Sequence, residues 1–255
     1  MTCFNSLMTL HLSKLCHFFF NIPLFFKEIL NFAVILNSRL KRHNLHTMKK
    51  YTYPLEPNIF YQIVNRGING EQLFKQLRNY SYFLSKYVHY IQPIADTYAY
   101  VLMGNHFHFL IRTKTEAQVR IAINRPDWSI QAIYSHQFSK FFNCYAQSIN
   151  KQEHRTGALL EESFRRIPIY TESYLLHMVY YIHFNPEKHK FVRNFELYPN
   201  SSYPIFIGNG SSPVPLQIEE VLTWFGGIQG FLKYHESKPD SKDKWLEDYW
   251  GYDED

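Results

Sequence analysis

The chain has 255 residues, 45% of them hydrophobic and 18% aromatic, enough apolar material for one globular domain with extensions or for two small domains, which excludes the fully disordered and fibrous classes. Its formal net charge of +5 is a mild basic excess that suits a polyanionic partner without demanding one. Three cysteines, Cys3, Cys16 and Cys144, fall in no paired spacing, which argues against a disulfide framework or a cysteine zinc site and for a reducing cytoplasm.

Residues 1–47 differ in character from the rest of the chain. The run from His17 to Leu36 is rich in Phe, Leu and Ile, but Asn21, Pro23, Lys27, Glu28 and Asn31 interrupt it. A charge at mid-bilayer costs roughly 2.5–3.5 kcal/mol, so a spanning helix is disfavoured and no membrane association is expected. A secretory signal is also disfavoured, because the basic residues Arg39, Lys41 and Arg42 come after the apolar run instead of before it. The expected organisation is an extension over 1–47 with Met48 as the natural start, a main domain over 48–203, and a C-terminal extension over 204–255 with one or two helices.

Ile59, Phe60, Tyr61, Ile63 and Val64 predict a strand, closed by the turn-like run Asn65 to Gly70. Leu73, Phe74, Leu77, Tyr80, Leu84, Tyr87, Val88 and Ile91 recur at three- and four-residue intervals and predict a helix that Pro93 ends. Thr97–Met103 and His106–Arg112 read as two strands joined by Gly104-Asn105 into a hairpin. A second helix is signalled from Ile130 to Ile149, with Asp127 or Ser129 as its N-cap. Phe164–Tyr170 is a short strand despite Pro168, and Thr171 starts a helix expected to stop by Asn185 because Pro186 comes next. Ile218–Tyr234 adds one more helix. The order β-α-β-β-α-β-α predicts an α+β domain of the ferredoxin-like, split βαβ plan, an antiparallel sheet with helices on one face.

Two segments could carry chemistry. Alternation along a strand sends His106 and His108 to one face and Phe107 to the other, so the two imidazoles can grip one ion. With 13 histidines in the chain, chance alone yields about 0.7 His-x-His triplets, and two histidines satisfied within a hairpin explain the pattern equally well. In the last helix, Tyr181 and Asn185 are four apart and share a face. The apolar face of that helix, Leu175, Met178, Val179 and Ile182, is centred near Ile182, which puts Tyr181 at its margin. The Asn185 amide oxygen can serve as a hard ligand to a divalent cation. Tyr180 competes with Tyr181 for any special role.

Taken together, five pieces in order, Phe60-Tyr61-Gln62-Ile63-Val64-Asn65-Arg66-Gly67, Leu102 to Ile111, Thr156-Gly157 with Phe164-Arg165, Tyr181-Ile182-His183-Phe184-Asn185-Pro186, and Ser201-Ser202-Tyr203, resemble the single-tyrosine transposases of the HUH endonuclease superfamily, in the branch associated with repetitive extragenic palindromes. The resemblance implies that His106 and His108 bind a metal, Mg²⁺ or Mn²⁺, that Asn185 completes the site and that Tyr181 is the nucleophile. It also implies a single-stranded or hairpin DNA substrate, a 5′-phosphotyrosine intermediate, and a monomer or homodimer in the cytoplasm, associated with the nucleoid when bound to DNA. Departures are Gly104, where relatives carry Pro or another turn residue, and His183, at a position often acidic. Arg66, Arg112, Arg155, Arg165 and Arg166 are the cations expected to track the DNA backbone, with at most one of Arg165 and Arg166 facing the cleft, since neighbours on a strand point opposite ways. Two other classes compete: a regulator that binds hairpin DNA without turnover, and a metal-dependent phosphodiester hydrolase that uses water.

Overall fold

The computed structural model describes residues 52–239. The expectations for residues 1–47, for Met48 and for the last residues of the chain lie outside that span. Within it run β1 (Phe60–Arg66), α1 (Leu77–Ile91), β2 (Ala95–Met103), β3 (His106–Thr113), α2 (Glu116–Ala122), α3 (Ile130–Gln152), β4 (Arg165–Ile169), α4 (Glu172–Lys188), α5 (Tyr203–Phe206), α6 (Ile218–Trp224) and α7 (Ile228–Glu236). The four strands form one sheet in the order β2-β3-β1-β4, and every neighbouring pair is antiparallel. This is the ferredoxin-like α+β plan that the element order predicts. Pro168 is accommodated because β4 is an edge strand, where a missing N–H interrupts no ladder on the outer side.

Alternation divides the sheet, apart from an irregularity in β2 between Thr97 and Ala99 that puts Tyr98 and Ala99 in the same core. Tyr61, Ile63, Phe107, Phe109 and Ile111 face a core shared with α1 and α3. Val101, Met103, Leu110 and Ile169 face the other way, onto α4 and the C-terminal helices. The two helices inside the split βαβ unit thus share one face, as expected, and α4 with the segments after it covers the second face as well. No helix among the described residues is long and apolar enough to cross a membrane.

Four local differences have physical causes. Leu73 and Phe74 are buried but precede α1, because their N–H groups donate to the Gly104 carbonyl at 2.8 and 3.0 Å, pinning that segment to the β2–β3 turn before Gln76 caps the helix. The short α2, unsignalled by periodicity because it buries only Val119, is nucleated by a capping box between Thr115 and Gln118. α4 continues through Pro186 to Lys188; near a helix end proline forfeits one hydrogen bond, and the turn closes with His189 N–H donating to the Asn185 carbonyl at 2.9 Å. Two helices form where one is expected over Ile218–Tyr234, since Gly226 and Gly227 take φ of 74° and 97°, a left-handed break that separates α6 from α7. Ser129, of the two candidates, is the cap of α3, its hydroxyl accepting from Ala132 N–H at 3.2 Å.

Candidate active site

β3 enters the site from a braced corner. The Gly67 N–H at the end of β1 donates to the Asn105 carbonyl in the β2–β3 turn at 2.8 Å. Gly67 has no room for a side chain, since a Cβ there would lie 2.0 Å from the Glu71 carbonyl oxygen. From this corner His106 and His108 project onto the second face of the sheet, their rings 5.3 Å apart. Phe107 faces the opposite core, as alternation requires.

α4 lies across the same face, and Tyr181, Asn185 and His189 recur along it at four-residue steps. The Tyr181 ring meets the His108 ring edge to face at 5.8 Å, and the His189 ring meets the His106 ring at 5.2 Å. Asn185 lies between these two pairs on the helix. The Lys188 ammonium sits 5.2 Å from the centre of the Tyr181 ring. The structure therefore sets Tyr181 against His108, with His106 beside that ring and Asn185 one turn further along the same face of α4. Tyr180 points elsewhere, stacked on Phe184 at 5.3 Å and near Tyr234 and His235. In one respect the sequence-based expectation needs correction: Tyr181 is not at the margin of a buried face but only 2% exposed, because its ring packs against His108 on the sheet with the Lys188 side chain over it.

The polar groups of the site are oriented by their neighbours. The Asn185 amide nitrogen donates to the Tyr181 carbonyl at 2.8 Å. Only the nitrogen end can bond a carbonyl, so the direction of the oxygen is settled. That oxygen is buried and has no hydrogen-bond partner among the described residues. His106 Nδ1 lies 2.7 Å from Asn105 Oδ1, an acceptor that calls for the proton on Nδ1. His108 Nδ1 lies 3.3 Å from the amide nitrogen of Gln62, itself buried in β1.

Among the described residues, no group of three or more His, Cys, Asp or Glu side chains could hold a metal. A donor set of two imidazoles and one amide oxygen leaves room for phosphate or water oxygens and suits a hard, oxygen-preferring cation. The buried acceptor of Asn185 is the feature that such a cation would satisfy.

Beside the histidines opens a cleft lined by Asn65, Arg66, Asn105, His106, Arg165 and His189, with Phe191, 45% exposed, at its edge. Arg165 faces it, and Arg66 reaches it while paired with Glu161 at 3.0 Å. The other three expected arginines are engaged elsewhere. Arg166 is on the opposite face, its guanidinium donating to the Tyr53 carbonyl at 2.5 Å and lying over the Phe164 ring. Arg112, at the far end of β3, pairs with Glu220 at 3.1 Å between Phe60 and Tyr98. Arg155 pairs with Glu71 at 2.8 Å. Gln62, Asn105, His189 and Phe191 are not singled out by the sequence. For His189 a signal exists, since it continues the Tyr181–Asn185 step by one more turn; for Gln62 the signal is a buried-strand amide set between the apolar Tyr61 and Ile63.

No protein-family model matches the sequence, and no curated protein matches it. Among solved structures, the chain is similar to a tyrosine transposase associated with REP and bound to a REP hairpin, at 18% identity and a TM-score of 0.47, over 65% of this chain and 89% of that one. A likeness of that degree bears on no residue or activity of the present chain.

Proposed function

We propose that this chain is a metal-dependent DNA strand transferase that cuts and rejoins single-stranded or hairpin DNA through Tyr181. The observation that carries the reading is the meeting of Tyr181 with His108 and, on the same helical face, the buried Asn185 oxygen with no hydrogen-bond partner among the described residues. In the proposed reaction Tyr181 gives up its phenolic proton to solvent as its oxygen attacks a backbone phosphorus in line, the bond to the 3′ oxygen breaks, and that oxygen takes up a proton from solvent and leaves as a hydroxyl. The 5′ phosphate remains esterified to tyrosine, so a second 3′-hydroxyl can reverse the step without a nucleotide cofactor. His106, His108 and Asn185 would hold a Mg²⁺ or Mn²⁺ ion, which when bound polarises the scissile phosphate and offsets charge on its oxygens. Arg165 and Arg66 would receive the neighbouring phosphates, and Phe191 offers a face to an unpaired base.

The burial of Tyr181 favours a second reading, a protein that binds hairpin DNA without turnover. One experiment separates them: incubation of the full chain with labelled hairpin DNA and Mg²⁺, resolved on a denaturing gel. The transferase reading predicts a covalent adduct that needs the cation and disappears in Tyr181→Phe. Binding without adduct or cleavage supports the regulator, and cleavage without adduct supports hydrolysis by water; either result removes the transferase.

A further inference from the structure

We propose that Gln62 is a positioning residue for the candidate metal centre: its side-chain oxygen accepts from Nδ1–H of His108 and holds that ring in the tautomer whose Nε2 can bind a divalent cation. The inference rests on the reading of His108 as a ligand and concerns how the chain prepares it.

Gln62 and His108 are on neighbouring strands, β1 and β3, and on the same face of the sheet. Both are nearly inaccessible, at 3% and 2% exposure. Nδ1 of His108 is engaged by Gln62 and Nδ1 of His106 by Asn105, so Nε2 is the nitrogen that either ring would offer to a cation. In the arrangement observed, the Gln62 amide nitrogen is the end beside Nδ1, at 3.3 Å, and its oxygen is buried with no hydrogen-bond partner among the described residues. A donor at that point requires Nδ1 to accept, which places the ring proton on Nε2 and blocks coordination.

The two ends of a carboxamide are nearly isosteric. Half a turn about its last torsion exchanges them with little displacement of any neighbour. The oxygen then accepts from Nδ1–H, and the Nε2 lone pair faces away from the amide. Asn105 already stands in that relation to His106, oxygen toward Nδ1 at 2.7 Å. With Gln62 turned, both rings carry the same arrangement, an amide oxygen on Nδ1 and a lone pair on Nε2, as metal-bound histidines require of the groups behind them. Cation binding and amide orientation are thereby linked: whichever end of Gln62 faces the ring decides whether His108 can serve.

The test uses the full chain labelled with ¹⁵N-histidine. With Mg²⁺ in excess, long-range ¹H–¹⁵N spectra are expected to show His108 protonated on Nδ1; a ring that stays protonated on Nε2 overturns the proposal. Mn²⁺ titration followed by electron paramagnetic resonance is expected to show about a 10–100-fold loss of affinity in Gln62→Leu, with affinity kept in Gln62→Glu, which retains an acceptor. Unchanged affinity in Gln62→Leu, or equal loss in both variants when both are folded, overturns it. Should Gln62→Leu fail to fold, the wild-type tautomer and Gln62→Glu still decide. His108→Ala separates the two levels: if that variant binds Mn²⁺ like the wild type, the reading of His108 as a ligand fails and this proposal with it, whereas loss in His108→Ala without loss in Gln62→Leu removes Gln62 alone.

Discussion

Asn185 is fully buried inside α4, with its amide nitrogen on the Tyr181 carbonyl and its oxygen directed away from it. Asn185→Asp replaces that nitrogen with a second oxygen facing the carbonyl. An unpaired or repelled buried polar group costs on the order of 1–3 kcal/mol, so the variant is expected to melt lower than the wild type without metal. A carboxylate is the stronger ligand for a hard cation, so Mn²⁺ is expected to raise its melting temperature by more than it raises that of the wild type. A thermal-shift comparison checks this; equal shifts would speak against Asn185 as a ligand. The residues readable from sequence are those set by local periodicity, His106 and His108 by alternation and Tyr181 and Asn185 by a four-residue step. Gln62 is not readable in its role, because its meeting with His108 depends on the β1–β3 register, in which Val64 stands opposite His108, and register is a long-range property.

At the scale of elements, α4 is legible as a helix, and Thr171, expected to start it, is its N-cap. What covers α4 is not legible, because the covering residues arrive far along the chain. His183 on the outer side of α4 lies 3.0 Å from His235 of α7 and 2.8 Å from the Ser202 hydroxyl, and His235 Nδ1 donates to the Phe231 carbonyl at 2.8 Å. The departure noted at position 183 is thus a buried contact holding α7 against the helix that carries Tyr181. Burial lowers the His235 pKa from 6.5 to about 4, and burial together with the neighbouring His235 charge lowers that of His183. For a histidine depressed in this way, the stabilising contribution is complete above the unfolded value and is lost as pH falls from about 6.5 toward about 4. The loss for His235 is on the order of 3 kcal/mol. Melting temperature measured across that window is expected to fall more steeply for the wild type than for His235→Phe; parallel curves would contradict the assignment. Phe231, fully buried beneath His235, is expected to cost about 3–5 kcal/mol on truncation to Ala, read as a lower denaturation midpoint.

Across the described residues, the antiparallel sheet and its strand order stem from the element order and the alternation of apolar residues, whereas the cover that α4 gives the second face is not part of the expected plan with helices on one face. The distribution of charge is less legible: strand alternation separates Arg165 from Arg166, but nothing in the sequence sets Arg66 apart from Arg112 and Arg155, and of the five only Arg66 and Arg165 line the cleft, while Arg112, Arg155 and Arg166 serve packing and ion pairs. Single-stranded DNA binding loses affinity with salt at a slope of about −0.7 per neutralised phosphate. Arg165→Ala is therefore expected to make the slope shallower by about that amount, and Arg112→Ala and Arg166→Ala to leave it unchanged. The reverse pattern in salt titrations would place the DNA on another face. The proposed activity turns on one tyrosine among the 20 in the chain becoming joined to DNA. Digestion of the adduct formed with hairpin DNA and Mg²⁺, then tandem mass spectrometry, reads this directly: the nucleotide phosphate is expected on Tyr181, and its appearance on Tyr180 or any other residue, or the absence of any adduct with bound DNA, would contradict it.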